Sequence, residues 1–76
     1  MSNDQNILIR MANQIGSFFE AMPDRAEALQ DVATHLKKFW APRMRQDLLA
    51  HVDAHGADDL HFMVAEAVSV HRSAIV

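Results

Sequence analysis

The sequence predicts an all-α protein, a small bundle of three to four antiparallel helices. Three observations carry that expectation. Apolar residues recur at helical spacing along most of the chain. No run of four to eight β-branched residues alternates with polar ones, as a half-buried strand would require. Glycine and proline are sparse, two of each, and Pro23, Pro42 and Gly56 punctuate the periodic stretches where turns would fall. The chain has 76 residues, so residues 1–76 are expected to form one domain. A chain of that size buries only about 60–65% of its unfolded surface. Half of its residues are apolar, enough to fill a dense core or to leave some for a partner.

The first helix is expected over about residues 5–21. Advancing about 100° per residue, Ile7, Leu8, Met11, Ile15, Phe18, Phe19 and Met22 fall in one arc of about 120°. Pro23 ends it. Asp24 then offers an N-cap, with Glu27 three residues on in capping-box spacing. The second helix runs to about Trp40, with Ala26, Leu29, Val32, Ala33, Leu36, Phe39 and Trp40 expected inside. Ala41 precedes proline and is biased away from helical angles, whereas Pro42 suits the first position of a new helix. That third helix reaches about His55, and Gly56 can take the left-handed conformation that stops it. Asp58 or Asp59 is the expected cap of a fourth helix over about 59–72, with Leu60, Met63, Val64, Ala67 and Val68 inward. Loops this short favour antiparallel neighbours.

Charge is uneven. Residues 35–45 hold Lys37, Lys38, Arg43 and Arg45 without an acid, which is +4, and the rest of the chain carries −7. A compact basic spot on an acidic body suits a specific partner surface better than general polyanion binding. Phe39 and Trp40 could stack bases, but they lie on the apolar stripe of the second helix, and no helix is lined with cations along one face. Nucleic acid is therefore not expected as a partner. Lys37 and Lys38 also complement the macrodipole at the end of their helix.

Catalysis finds little support in the residues. There is no cysteine, hence no thiolate nucleophile, disulfide or thiolate metal ligand. Nucleophile-elbow, P-loop, dinucleotide and zincin motifs are absent, and no serine has a base at a telling position. His51 and His55, four apart, could face one metal, with His61 or Asp58 as a third ligand. A structural site usually needs four ligands and outer partners that orient them, so the pair reads instead as surface imidazoles near a helix C-terminus. No catalytic, cofactor-binding or metal-ligating residue is assigned. The polar, acidic start "MSNDQNILIRM" is not a secretory signal, and no apolar run approaches the ~20 residues of a membrane span. A soluble protein in a reducing, cytoplasmic setting is expected.

Several residues do not fit a plain bundle. Ile9 falls opposite the first apolar stripe and Phe62 off the fourth. Arg45 lies in line with Leu48, Leu49 and Val52, where its stem could cover apolar surface or its head could dock on another chain. His71 falls in the apolar arc of the fourth helix and reads as half solvated. Arg10, Asn13, Gln14 and Ser17 share a face whose amides suit a partner's backbone. Gly16, inside a helix, costs up to about 1 kcal/mol against alanine, so another helix or a partner is expected to approach the backbone there.

The stretch "LIRMANQIGSFFEAMPDRAEALQDVATHLKKFWAPRMR", residues 8–45, resembles the delta subunit family of soluble NAD-dependent formate dehydrogenases. The telling pieces are "RMANQIG" and "FWAPRMR", joined at the right interval by "AMPDR"; "LLAHVDAHGADDLHFMVAEAV" resembles it more weakly. The resemblance implies a cytoplasmic oligomeric complex that oxidises formate to carbon dioxide and reduces NAD. Its large subunits would hold a molybdenum or tungsten pterin, iron–sulfur clusters and flavin (FMN). The delta subunit would be a small non-catalytic accessory chain serving assembly or stability of the large catalytic subunit and its cofactor. The absence of cysteine agrees with a chain that ligates no cluster in the usual way.

Residues and resemblance together place the partner contact at the corner between the second and third helices. Phe39 and Trp40 would pin it, Pro42 would set its direction, and Arg43, Met44 and Arg45 would meet the catalytic subunit, the arginines through bidentate bonds. Arg10, Asn13 and Gln14 would form a second strip, and Phe62 a further contact. Two alternatives stand beside this: a free-standing regulatory module that binds an anion or nucleotide at the basic corner, and, more remotely, an enzyme acting alone.

Overall fold

Helix α2, Arg25–Phe39, lies at the centre of the molecule. Around it stand α1 (Ser2–Phe19), α3 (Pro42–His55), α4 (Phe62–Val70) and α5 (Arg72–Ile75). The structure is a computed structural model that describes residues 2–76, with side chains from Asn6 onward. Among the described residues all regular structure is helical. No helix of the described residues is long and apolar enough to cross a membrane.

The capping chemistry explains most boundaries. The Asp24 side chain accepts a hydrogen bond from the Glu27 backbone N–H at 3.1 Å, which satisfies one of the orphan donors that open α2. Trp40 and Ala41 are extended at ψ 139° and 149°, and Pro42 then opens α3. Gly56 closes α3 with φ at 84°, a conformation that a side chain would strain.

Two boundaries depart from expectation. The fourth helix is not continuous over 59–72. It begins at Phe62 behind His61, whose ring Nδ1 accepts from the Met63 backbone N–H at 3.1 Å. Asp58 and Asp59 therefore do not cap it. After His71 the chain starts α5, a short fifth helix that seats Ile75 with no exposed surface. The bundle of three to four helices thus becomes five among the described residues.

Val32, Ala33, Leu36, Leu48, Val64, Ala67, Val68 and Ile75 form the driest part of the core. α2 packs on α1, α4 and α5, and α1 also packs on α3 and α4. Within α2, Ala28 is buried while Ala26 is exposed, and Phe39 projects outward. The larger correction concerns α1. Its buried residues are Leu8, Ala12 and Gly16, with Ile9, Ile15 and Phe19 partly buried against the core. Ile7, Met11 and Phe18 are exposed. At 100° per residue the buried arc is turned by about 80° from the apolar stripe. Small residues explain the turn, because Ala12 and Gly16 let α4 and its approach come close. Ile9, expected outside, lies on the covered side for the same reason.

Candidate partner-docking face

The turn of α1 leaves an apolar surface open to solvent. Phe18 is 73% exposed, Phe39 72% and Ile7 52%. Phe18 meets Phe19 edge to face at 5.0 Å between centroids, Phe19 meets His35 at 6.1 Å, and His35 meets Phe39 at 4.8 Å. An aromatic run therefore crosses from α1 to α2. Between residues 5 and 19 the sole charged residue is Arg10. The other exposed positions described there are amide, hydroxyl or apolar, whereas a solvated helix is generally rich in Lys and Glu. Charge depletion with Met, Phe and Arg is the composition of an interface core.

The basic corner is built differently from expectation. Trp40 is buried and anchors it, but Phe39 does not, since its ring faces outward. Arg45 is 8% exposed. Its Nη1 donates to the Trp40 carbonyl at 2.6 Å and to the Lys37 carbonyl at 3.2 Å. These are carbonyls that the end of α2 leaves without helical partners, at the negative end of its dipole. Arg45 is thus an internal clamp, which corrects its assignment as a presented contact. Arg43 and Pro42 remain exposed and Met44 is half-buried. Lys37 Nζ donates to the Val76 carbonyl at 2.6 Å.

The strip on α1 also divides. Arg10 and Gln14 are exposed, but Asn13 is a buckle within the chain. Its Nδ2 donates to the Asp59 carbonyl at 3.1 Å, and its Oδ1 accepts from the His61 backbone N–H at 2.7 Å. These bonds fix the approach to α4 against α1, so Asn13, half-exposed, also serves this chain's own packing. Next to it lies the reason for Gly16. A Cβ on Gly16 would stand 2.8 Å from His61 Cγ and Nδ1 and 2.9 Å from its Cβ. The close approach expected there comes from this chain.

Histidines serve the same joint. Because His61 Nδ1 accepts from Met63, the ring proton sits on Nε2, 2.8 Å from Glu20 Oε1. His51 Nε2 lies 3.0 Å from Asp59 Oδ2, and its ring is 5.3 Å from that of His55. Among the described residues no three His, Cys, Asp or Glu are gathered to hold a metal ion. Phe62 is half-exposed and already engaged, with its ring stacked on His61 at 4.5 Å and the Arg25 guanidinium 5.3 Å from its centre. Arg25 also pairs with Glu66.

Farther away, Arg72 holds Asp53 through two bonds, Nη1 to Oδ1 at 3.0 Å and Nη2 to Oδ2 at 2.6 Å. The hydrogen bonds from Arg72 are the main cause that keeps the Asp53 carboxyl below its ordinary value; loss of solvent opposes them, and the charge of Arg72 adds to them. His71, half-buried, joins α4 to α5.

The residues that sequence reasoning missed are Ile7, Met11 and Phe18, which it placed in the core. The signal available was the near absence of charge from residue 5 to 19 together with an apolar stripe wider than one packed face requires.

No curated protein and no solved structure matches this chain. A family model described as "NADH-dependant formate dehydrogenase delta subunit FdsD" matches residues 7–68. The match begins on the exposed face of α1 and runs through the α2–α3 corner and the Asn13–His61 joint to Val68 in α4. Covering most of the sequence, it shows that the chain belongs to the formate dehydrogenase delta subunit family FdsD.

Proposed function

We propose that this chain is a non-catalytic accessory subunit that docks on the large catalytic subunit of an NAD-dependent formate dehydrogenase in the cytoplasm. There it supports assembly and stability of that subunit and of its metal–pterin cofactor. The observation that carries the reading is the open aromatic surface, with Phe18 and Phe39 both more than 70% exposed, in a chain whose family is named as a subunit. Exposed phenylalanines of this kind are costly to solvate and gain by being covered. Redox chemistry is assigned to the partner subunits, through a molybdenum or tungsten pterin, iron–sulfur clusters, FMN and NAD. This chain has no cysteine to offer a cluster. Of the expected contacts, Arg10, Gln14, Phe39, Pro42, Arg43 and Met44 stay on the presented surface, Phe62 lies at its far side, and Trp40 acts as the anchor beneath.

The anion- or nucleotide-binding alternative is left with fewer cations. Arg45 is spent on carbonyls of α2, and Lys37 reaches toward Val76.

The test is co-expression of the remaining formate dehydrogenase subunits with and without this chain. Omission is expected to lower the yield of assembled complex and its metal–pterin occupancy, with formate-dependent NAD reduction falling in step. Equal yield, occupancy and activity without the chain would overturn the proposal. So would formate-dependent NAD reduction by the isolated chain.

A further inference from the structure

Residues 57–61, between Gly56 and α4, carry Leu60 into the core and lead into the first turn of α4. Three side chains from elsewhere hold this segment. Asn13 of α1 bonds the Asp59 carbonyl and the His61 N–H. His51 of α3 reaches the Asp59 carboxylate at 3.0 Å, and Glu20, just past α1, reaches the His61 ring at 2.8 Å.

The two imidazoles are set in the same way. Each turns Nε2 to a carboxylate, so each carries its one proton there and leaves Nδ1 bare. At His61 the bare Nδ1 accepts from the Met63 N–H at 3.1 Å and so caps α4. At His51 Nδ1 is buried without a partner among the described residues. A second proton finds no acceptor in either place. On His61 it would point at the Met63 N–H, with a positive ring at the positive end of the α4 dipole. On His51 it would bury a charged donor that nothing receives. The His61 ring has little room to turn away, because it stacks on Phe62 at 4.5 Å and lies against Gly16.

The surrounding charges do not offset that conflict. His61 faces Glu20; Arg25 of α2 stands over the Phe62 ring beside it, and Glu66 of α4 is paired with that arginine. His51 faces Asp59 and the His55 ring, and Arg10 of α1 borders the same concavity as Asp59. One carboxylate thus favours a charged ring at each place, and an arginine nearby opposes it. Both carboxylates are 51% exposed, whereas the His61 and His51 side chains are 15% and 12% exposed. An ion pair with a half-exposed carboxylate gains little, and a covered charged donor without an acceptor costs more.

We propose that residues 57–61 form a proton-sensitive catch: neutral His51 and His61 close it, and a second proton on either ring releases the segment and the first turn of α4 from α1. Release uncovers Leu60 and the Ala12–Gly16 side of α1, apolar surface that the closed catch covers. The stability contributed by the catch is complete while the rings are neutral. It is lost as pH falls through the range, about 8 to 5, in which an imidazole gains its proton. The catch does not depend on the accessory-subunit reading.

The experiment is amide hydrogen exchange on the full chain at about pH 7.5 and about pH 5.5, corrected for the intrinsic effect of pH on exchange. In wild type, protection of the His61, Met63 and Val64 amides is expected to fall at least about tenfold relative to Val32 and Leu36 of α2. The comparison is His51→Gln with His61→Asn, whose amides can donate to Asp59 and accept from the Met63 N–H but do not titrate. There the same ratio should change less than about twofold. Unchanged protection in wild type, or an equal fall in the variant, overturns the catch. Wild type alone decides the question if the variant misfolds: imidazole nitrogen shifts at about pH 7.5 should report a proton on Nε2 alone in both rings. A charged ring, or a proton on Nδ1, at His51 or His61 overturns the proposal.

Discussion

Arg45 donates to the main-chain carbonyl of Trp40 at 2.6 Å, and this bond makes the α2–α3 corner rigid. Trp40 ends one helix and Pro42 begins the next, so carbonyls at the end of α2 would otherwise face a sharp turn without donors. The guanidinium satisfies two of them from a buried position. Among the described residues no carboxylate pairs with it; the carbonyl dipoles at the end of α2 balance its charge instead.

Replacing Arg45 by methionine keeps the apolar stem and removes the donors. Two carbonyls next to a buried tryptophan then lose a charged partner, at a cost of about 1.5–3 kcal/mol. A domain of this size should lose on the order of 10 °C in melting temperature, measured on the full chain by thermal unfolding. Lysine should recover only part of it, because one ammonium does not reproduce the planar fork. A melting temperature within about 2 °C of wild type for Arg45→Met, well short of that expected loss, would refute the clamp.

At Gly16 two effects of opposite sign compete. Alanine is favoured over glycine inside a helix by up to about 1 kcal/mol. The added Cβ, however, would lie 2.8 Å from His61 Cγ, and the His61 main chain is tied to Asn13, so the ring root cannot swing aside freely. Overpacking of this kind typically costs about 1–3 kcal/mol. Gly16→Ala is therefore expected to destabilise the wild-type chain and to stabilise the His61→Gly background, where the ring and its Cβ are both gone. Chemical denaturation of the four members of this cycle reads the reversal directly. The same sign in both backgrounds would reject the packing account.

The all-helical class, the Asp24 cap, the proline corner and the Gly56 stop were legible because each depends on near neighbours in sequence. The close approach at Gly16 was legible too, though not its source. What could not be read locally was which side of a broad apolar stripe the core would take. Leu8 and Met11 are equally good candidates on a helical wheel, and Ala12 was overlooked because a small residue carries little hydrophobic weight. Only the packing of α4 selects the Ala12–Gly16 side, and that decision turns Ile7, Met11 and Phe18 into surface. The same long-range logic hid Arg45, whose acceptors are main-chain carbonyls without sequence identity, and Asn13, whose partners lie more than 40 residues away. The short α5 was missed because four residues show no periodicity.

The link between Asp53 on α3 and Arg72 on α5 makes an acid-side prediction. The hydrogen bonds from Arg72 hold the Asp53 carboxyl below its ordinary value of 3.8, so the folded chain takes up this proton less readily than the unfolded one. The stability it contributes is complete above that ordinary value and is lost as pH falls through the lower folded value. Both groups are exposed, so the contribution is modest and screened by salt. The comparison is wild type against Asp53→Asn in unfolding experiments from about pH 7 to pH 3 at low ionic strength. The difference in stability should stay constant down to about pH 4 and shrink below it, while most other carboxylates, present in both proteins, cancel. Added salt should reduce the difference at neutral pH. A gap that stays level or widens toward the acid end would show that Arg72 does not favour the charged carboxylate, and that α5 is held by the burial of Ile75 instead.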